Sequence, residues 1–174
     1  LAAITQVLNQ DSDTQVDVCM TSEMARRIEL WTAMYEDNAS WVDRKKVKSA
    51  QLPAAIASEV ARLVTLEMKS EITGGSSAAY LNDQYQKKVL TSIRRYVEYG
   101  CAKGGLILKP YVTKTGLAIQ YVQADCFFPL AFDDSGQIQQ CVFTEQFRKG
   151  QKIYTRLEIH ALQGEQIRIT NRAF

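Results

Sequence analysis

The sequence contains few of the residues on which catalysis and metal binding most often depend. It has a single histidine, His160, and none of its four cysteines forms a CxxC pair with another. Nucleophilic triads and dyads need a histidine in a recognisable motif, and zinc or redox sites need closely spaced cysteines. No such motif surrounds His160, so we predict a strand histidine with a structural role. Catalytic, cofactor-binding and metal-binding residues are not expected.

A large surplus of charge of either sign is also absent. The 174 residues include 21 Lys and Arg and 19 Asp and Glu, which gives a net charge of +2. Proteins that hold nucleic acid tightly through its phosphates usually have a strongly basic stripe or balance. The composition therefore does not indicate affinity for nucleic acid from bulk charge. A hydrophobic content of 46% is typical of a globular chain with a buried core.

Targeting and membrane-spanning segments are missing from the pattern as well. The first residues lack the charged start and cleavage site of a signal peptide, and no apolar run has the length of a transmembrane helix. The four cysteines are therefore expected to be buried or half-buried thiols in a reducing compartment. The chain starts at Leu1 and stops at Phe174 inside a strand-like pattern, so we expect it to be cut at both ends.

The first part of the sequence has the periodicity of helices. Residues 1–20 are predicted to be an irregular segment, with a short helix around Val7 as the alternative. Thr21 or Ser22 is expected to cap the first long helix, because either hydroxyl can accept a hydrogen bond from an unpaired backbone N–H. The apolar residues that follow at helical spacing end before Asp37.

Two further helices are predicted before the pattern changes. One begins near Pro53, because proline suits the first helical turn, and its apolar residues form a broad face. The other is predicted over residues 78–102, where apolar side chains recur every four residues. This step is longer than the roughly 3.6 residues of a helical turn, so the stripe should spiral and contact more than one neighbour. Together these helices form a helical part, residues 21–105.

Residues 106–174 have the period of strands. Six segments alternate or run apolar, and the loops between most of them are short and contain glycine, as hairpin loops do. We therefore predict an α+β fold in which three helices are followed by an antiparallel β-meander that packs against them. The predicted strands cover residues 106–112, 117–122, 127–132, 138–147, 153–162 and 166–174.

A basic cluster lies in the connector between the first two long helices. It consists of Arg44, Lys45, Lys46 and Lys48. Short charge runs are usually solvated, so an exposed loop is the simplest interpretation. The alternative is a contact to phosphate or to an acidic partner.

Two acidic pairs are dense enough to be considered as metal ligands. They are Asp11 with Asp13 and Asp133 with Asp134, and all four lie in predicted loops. Residues 133–136 have the composition of a hairpin turn and lack the later ligands of a calcium loop, so the turn is favoured. A nucleic-acid-processing enzyme would need these carboxylates to converge on a metal.

Five segments of the sequence resemble the portal proteins of tailed bacteriophages, in particular those of siphophages and prophages in Gram-positive hosts. They occur in the family's order between residues 21 and 174. The segments are MARRIELW at 24–31, LPAAIASEVAR at 52–62, YVEYGCAKGG at 96–105, QADCFFP at 123–129 and YTRLE at 154–158.

This resemblance implies a structural virion protein and not an enzyme. Portal proteins form a ring of about twelve subunits at one capsid vertex, where they act as the head–tail connector. Such a ring starts capsid assembly with scaffolding and major capsid protein, docks the terminase large subunit and later holds the head–tail adaptor. Double-stranded DNA passes through it during packaging and ejection. The expected location is the portal vertex of the virion, and the host cytoplasm during assembly, with no membrane partner.

Within that family the chain resembles the wing region. Residues 21–105 would be the helical part of the wing and residues 106–174 its strand part, with the channel-lining stem and the clip outside this sequence. A closed ring needs a heterologous interface, and aromatic residues are enriched at interface centres. Trp31, Tyr35 and Trp41 are therefore candidate subunit contacts. The alternatives are a subunit of a nucleic-acid-processing enzyme and another ring protein, such as a head–tail adaptor.

Overall fold

The computed structural model describes residues 1–10, 15–43, 45–46, 49–114 and 116–174. Helices precede antiparallel strands in an α+β fold, as predicted, but the described residues form five α-helices and not three. The helices are α1 Ala2–Asn9, α2 Ser22–Tyr35, α3 Leu52–Leu66, α4 Ala78–Tyr85 and α5 Ile93–Lys103. The strands are β1 Leu106–Thr113, β2 Gly116–Gln123, β3 Phe127–Phe132, β4 Ile138–Lys149, β5 Lys152–Gln163 and β6 Gln166–Ala173.

The chain divides into two compact units. The first combines residues 1–27 with residues 125–174, and we call it the sheet unit. The second is residues 28–124, which we call the helix unit. The boundary falls within α2, between Arg27 and Ile28.

A four-stranded antiparallel sheet of order β3-β4-β5-β6 forms the sheet unit together with α1. Val142 and Leu157 have no exposed surface at the centre of its core. Their neighbours in that core are Val7, Leu8, Phe128, Leu130 and Ile159. The strand residues in this set alternate along each strand, so they share the face that α1 covers.

Residues 1–20 contain a helix, so the prediction of an irregular segment was wrong for α1 and its alternative is the one observed. The physical reason is that α1 buries Val7 and Leu8 against the sheet. Arg172 of β6 also donates hydrogen bonds to the carbonyls of Val7 and Leu8, at 2.7 and 3.1 Å. These carbonyls lie near the helix C-terminus, where a cation is favourable.

In the helix unit, α3 packs against α5, and the hairpin of β1 and β2 forms a separate two-stranded sheet. The predicted meander is therefore divided into two sheets. A short 3₁₀ turn at Ala124–Cys126 lies between β2 and β3, and β2 packs on α5. In that contact the rings of Tyr96 and Tyr121 are stacked, with centroids 3.5 Å apart.

The long helix predicted over residues 78–102 is interrupted, so that prediction was wrong in its middle. A π-helical turn at Gln86–Leu90 separates α4 from α5. Its carbonyls are taken by side chains: the Thr91 hydroxyl donates to Gln86 at 2.9 Å, and the Tyr121 hydroxyl donates to Lys88 at 2.8 Å. Such bonds compete with the regular helical pattern. Among the described residues, no helix has both the length and the apolar character needed to cross a membrane.

Candidate subunit interface

Helix α3 buries its small residues and exposes its large apolar ones. The buried side has Ala57 and Ala61, and Ala61 is 0% exposed. The exposed side has six large apolar residues, each 40–64% exposed: Leu52, Ile56, Val60, Leu63, Val64 and Leu66. We call these six residues the α3 face. Their spacing places them along one broad side of the helix.

The sequence explains why the helix lies this way round. Pro53 occupies the first turn of α3, where its missing N–H costs nothing, and the alanines let α5 approach closely. Glu59 and Arg62 border the α3 face and neutralise each other, with side-chain hydrogen bonds of 2.6 and 2.7 Å. The hydrogen bond from Arg62 holds the pKa of Glu59 below its ordinary value. The face is therefore apolar with little net charge.

An apolar groove of about 480 Å³ lies beside the α3 face within the helix unit. Trp31 and Tyr35 of α2 line one side, and Ile56 and Val60 of α3 line the other. Cys101 of α5 also contributes to the lining. The groove extends the apolar surface of α3 towards two of the aromatic residues that the sequence proposes as subunit contacts.

The three aromatic candidates differ in how available they are. Trp31 is 41% exposed and Trp41 is 64% exposed, so both present apolar surface to a partner. Trp31 also packs on Gly104, where an added Cβ would lie 3.2 Å from its ring. Tyr35 is half-buried, and its hydroxyl donates a 2.7 Å hydrogen bond to Glu98. Tyr35 therefore fixes α2 to α5 rather than offering a free surface.

A cluster of tyrosines supports this part of the helix unit. The Tyr35 and Tyr99 rings meet edge to face at 5.9 Å, and Tyr99 in turn contacts Tyr96. The Arg95 guanidinium donates to the Tyr99 hydroxyl at 3.0 Å and lies over its ring. Burial, and then the hydrogen bond to Glu98, raise the pKa of Tyr35 well above its ordinary value. These contacts hold α2 and α5 at a fixed spacing around the groove.

The basic cluster of the connector is described only in part, since Arg44 and Lys48 lie outside the described residues. Lys45 and Lys46 are exposed. The Lys46 ammonium lies 3.4 Å from Asp43, and the Lys45 backbone N–H donates to the same carboxylate at 3.0 Å. Lys45 and Lys46 thus lie next to the Asp43 carboxylate, which weakens their attraction for phosphate.

The acidic residues of the β3–β4 loop form a turn. The Asp133 carboxylate accepts hydrogen bonds from the Ser135 hydroxyl at 2.7 Å and from the Gln137 N–H at 2.8 Å. The Ser135 hydrogen bond, then that of Gln137, lowers the pKa of Asp133. The hairpin turn predicted for residues 133–136 is confirmed. Asp11 and Asp13 lie outside the described residues. Within the described residues, no group of His, Cys, Asp or Glu side chains could hold a metal ion.

The histidine and the cysteines lie in ordinary surroundings. His160 on β5 is hydrogen-bonded through Nε2 to Glu158 at 2.7 Å, as expected of a strand histidine. Cys126 and Cys141 are half-buried thiols. Cys19, between α1 and α2, and Cys101, on α5, are exposed, so the expectation of burial was wrong for these two. Cys101 borders the open apolar groove.

Comparison of the chain with models of known families, with curated proteins and with solved structures gave no match. Function must therefore be argued from the residues themselves. Sequence reasoning recognised the broad apolar side of α3 but did not select it as a site. The signal was present, because alanines recur on one side of that helix and large apolar residues on the other.

Proposed function

We propose that this chain is part of the wing of a phage portal subunit, and that its α3 face contacts a second copy of the chain in a ring. The observation that carries the proposal is a coincidence on α3. Residues 52–62 are one of the five segments that resemble portal proteins, and α3 is also the helix that exposes its large apolar residues. A segment that resembles an assembly protein thus has an exposed apolar surface of the kind that assembly uses.

The size of the exposed side chains supports an interface. Single exposed apolar residues are normal on a protein surface, but contiguous patches mark contact sites. The α3 face is contiguous, and the groove with Trp31 adjoins it. Aromatic residues are enriched at the centres of such contacts.

A ring also needs a second patch of different shape. A rotation that closes a ring brings one patch of a subunit onto a different patch of the next. The sheet unit offers a flat apolar patch on β5 and β6, where Leu162 lies directly opposite Ile167 and Ile169 follows on the same side. The α3 face is a convex helical ridge. Two unlike apolar patches are compatible with a heterologous contact and do not require opposite charges.

The remaining roles follow from the same proposal. A portal ring would dock terminase, capsid and adaptor proteins and pass double-stranded DNA, with no catalytic residues of its own. Firm phosphate contacts would hinder that passage, because each contact has to be broken for the DNA to move. A net charge of +2 is compatible with loose contact.

Electron microscopy and analytical ultracentrifugation of the full-length subunit, at high concentration and with scaffolding protein present, test the proposal. Rings with a central channel are expected. The double variant Ile56→Asp, Leu63→Asp should abolish the rings, because burying two carboxylates in an apolar contact is strongly unfavourable. Its circular dichroism should stay unchanged, since both side chains are exposed.

The matched control is Met24→Asp, Val112→Asp, which places the same charges at two exposed apolar residues outside the α3 face. Rings should persist in this variant. A wild-type protein that remains strictly monomeric would refute the ring. Rings that survive the α3 substitutions would refute the assignment of α3 to the subunit contact.

A further inference from the structure

The hairpin of β4 and β5 is longer than the strands on either side of it. The pairing of β3 with β4 ends at Phe143, and that of β5 with β6 ends with the Thr155 and Phe174 backbone hydrogen bonds. Between these limits β4 and β5 pair only with each other in the described part of the chain. Residues 147–154 therefore form a two-stranded arm, which we call the basic arm.

The basic arm is locally positive. Its eight residues, FRKGQKIY, include Arg148, Lys149 and Lys152 and no acidic residue. The whole chain has 21 basic and 19 acidic residues. Without the three cations of the arm, 18 basic and 19 acidic residues remain, so the rest of the chain has a slightly negative net charge. No carboxylate of the described residues pairs with these three cations, whose side chains are exposed.

Two of the cations are placed where they repel each other. Lys149 and Lys152 are directly opposite in the β4–β5 register, so their side chains leave the same face of the arm. Like charges in opposite positions destabilise a strand pair, whereas an anion between them would remove the repulsion. The hairpin would be more stable with acidic or neutral residues at either position.

Aromatic rings lie next to this charge pair on the same face. Phe147 and Tyr154 are also directly opposite each other, two residues along from the lysines. Their rings are stacked with centroids 5.6 Å apart, and Phe147 remains exposed. The following position on this face is the ion pair of Glu145 and Arg156, which ends the uncompensated charge. One face of the arm thus presents two ammonium groups and then an aromatic surface.

We propose that the basic arm binds single-stranded nucleic acid, with Lys149 and Lys152 on a phosphate and Phe147 and Tyr154 against a base. Proteins that bind single strands without sequence preference combine cations that follow the backbone with aromatic side chains on which bases stack. Arg148 leaves the opposite face of the arm and adds charge there.

The aromatic pair decides between partners that share negative charge. An acidic peptide would engage the lysines but gain little from the exposed rings. A duplex keeps its bases stacked inside and would also use only the lysines. A single strand uses both, because its unstacked bases expose their faces. The inference does not rest on the proposed ring, since the arm's charges and rings belong to one hairpin.

Fluorescence anisotropy with a labelled oligothymidylate at low salt tests the inference. Lys149→Gln, Lys152→Gln should weaken binding about tenfold or more and flatten the dependence of log affinity on log salt by about 0.7, the value for one phosphate contact on a single strand. Phe147→Ala should weaken binding about tenfold through lost stacking without changing that salt dependence. All these residues are exposed, so folding should not be affected.

The matched control is Lys69→Gln, Lys114→Gln, which removes two exposed lysines elsewhere and should leave the affinity unchanged. A duplex and a poly-glutamate peptide serve as competitors, and both should compete more weakly than the single strand. The inference is overturned if the wild type does not bind, if both lysine pairs have equal effects, or if poly-glutamate competes as well as the oligonucleotide. The last result would assign the arm to an acidic protein.

Discussion

The core of the sheet unit and helix α3 of the helix unit use their large apolar residues in opposite ways. In the sheet unit, Val142 and Leu157 are completely covered between the strands and α1. In the helix unit, the residue without exposed surface on α3 is Ala61, while Ile56 and Leu63 of the same helix face solvent. The core face of the sheet is therefore covered, although Leu162, Ile167 and Ile169 on its other face stay exposed, whereas α3 keeps its large apolar residues outside.

This difference separates residues that stabilise the fold from residues that are available for assembly. Burial of apolar surface contributes about 25 cal/mol per Å², and the sheet core has already gained that contribution. The α3 face gains it only when a partner covers it. Substitutions in the sheet core should therefore act on unfolding, and substitutions on the α3 face should act on association.

The largest effect is expected from Leu157→Ala in the sheet unit. The side chain has no exposed surface, so its truncation removes buried contacts and leaves a cavity, at a cost of about 2–5 kcal/mol in unfolding free energy. Urea denaturation followed by circular dichroism measures this loss. Leu162→Ala on the same strand is the control, because Leu162 is largely exposed and should cost no more than about 1 kcal/mol. Equal losses would contradict the assignment of the core.

An intermediate effect is expected from Ala61→Leu in the helix unit. A larger side chain has no room where α3 meets α5, so overpacking should cost about 1–3 kcal/mol. The emission of Trp31, which lines the groove between these helices, should report the rearrangement. Ala55→Leu on the exposed side of α3 should change the unfolding free energy by less than about 0.5 kcal/mol. A tolerated Ala61→Leu would show that the alanines do not form the contact.

The strands were predicted from the sequence more successfully than the helices. The segment 127–132 was predicted with the bounds of β3, and the other five strands differ by at most two residues at an end. Local alternation and glycine in the turns are enough to place a hairpin strand. The division into two sheets was not predictable in this way, because local alternation does not show which neighbouring strands pair.

The four-residue spacing of apolar residues in this region also bears on the π-helical turn. Apolar residues recur every four positions from Leu81 to Cys101, and this spacing predicts a stripe that spirals around one helix. The wider turn at Gln86–Leu90 accommodates part of that spacing, because a π-turn holds more residues than an α-turn.

The apolar pattern of the α3 face could be predicted from the sequence, but its exposure could not. Periodicity shows which side of a helix is apolar, and only the packed chain shows which side is covered.

The smallest expected effect is on the unfolding free energy at alkaline pH, and it involves Tyr35 in the helix unit. Burial and the Glu98 hydrogen bond raise the pKa of Tyr35 in the helix unit above its value of about 10 in the unfolded chain. The folded state therefore favours the protonated hydroxyl, and this contribution is complete below about pH 10 and is lost as the pH rises towards the folded pKa.

Tyr35→Phe should lower the unfolding free energy by about 1 kcal/mol at neutral pH and flatten its decline above about pH 10. Urea denaturation across that range measures both, with the exposed Tyr111→Phe as control. An identical alkaline slope in Tyr35→Phe and wild type would show that the Glu98 contact does not couple stability to pH.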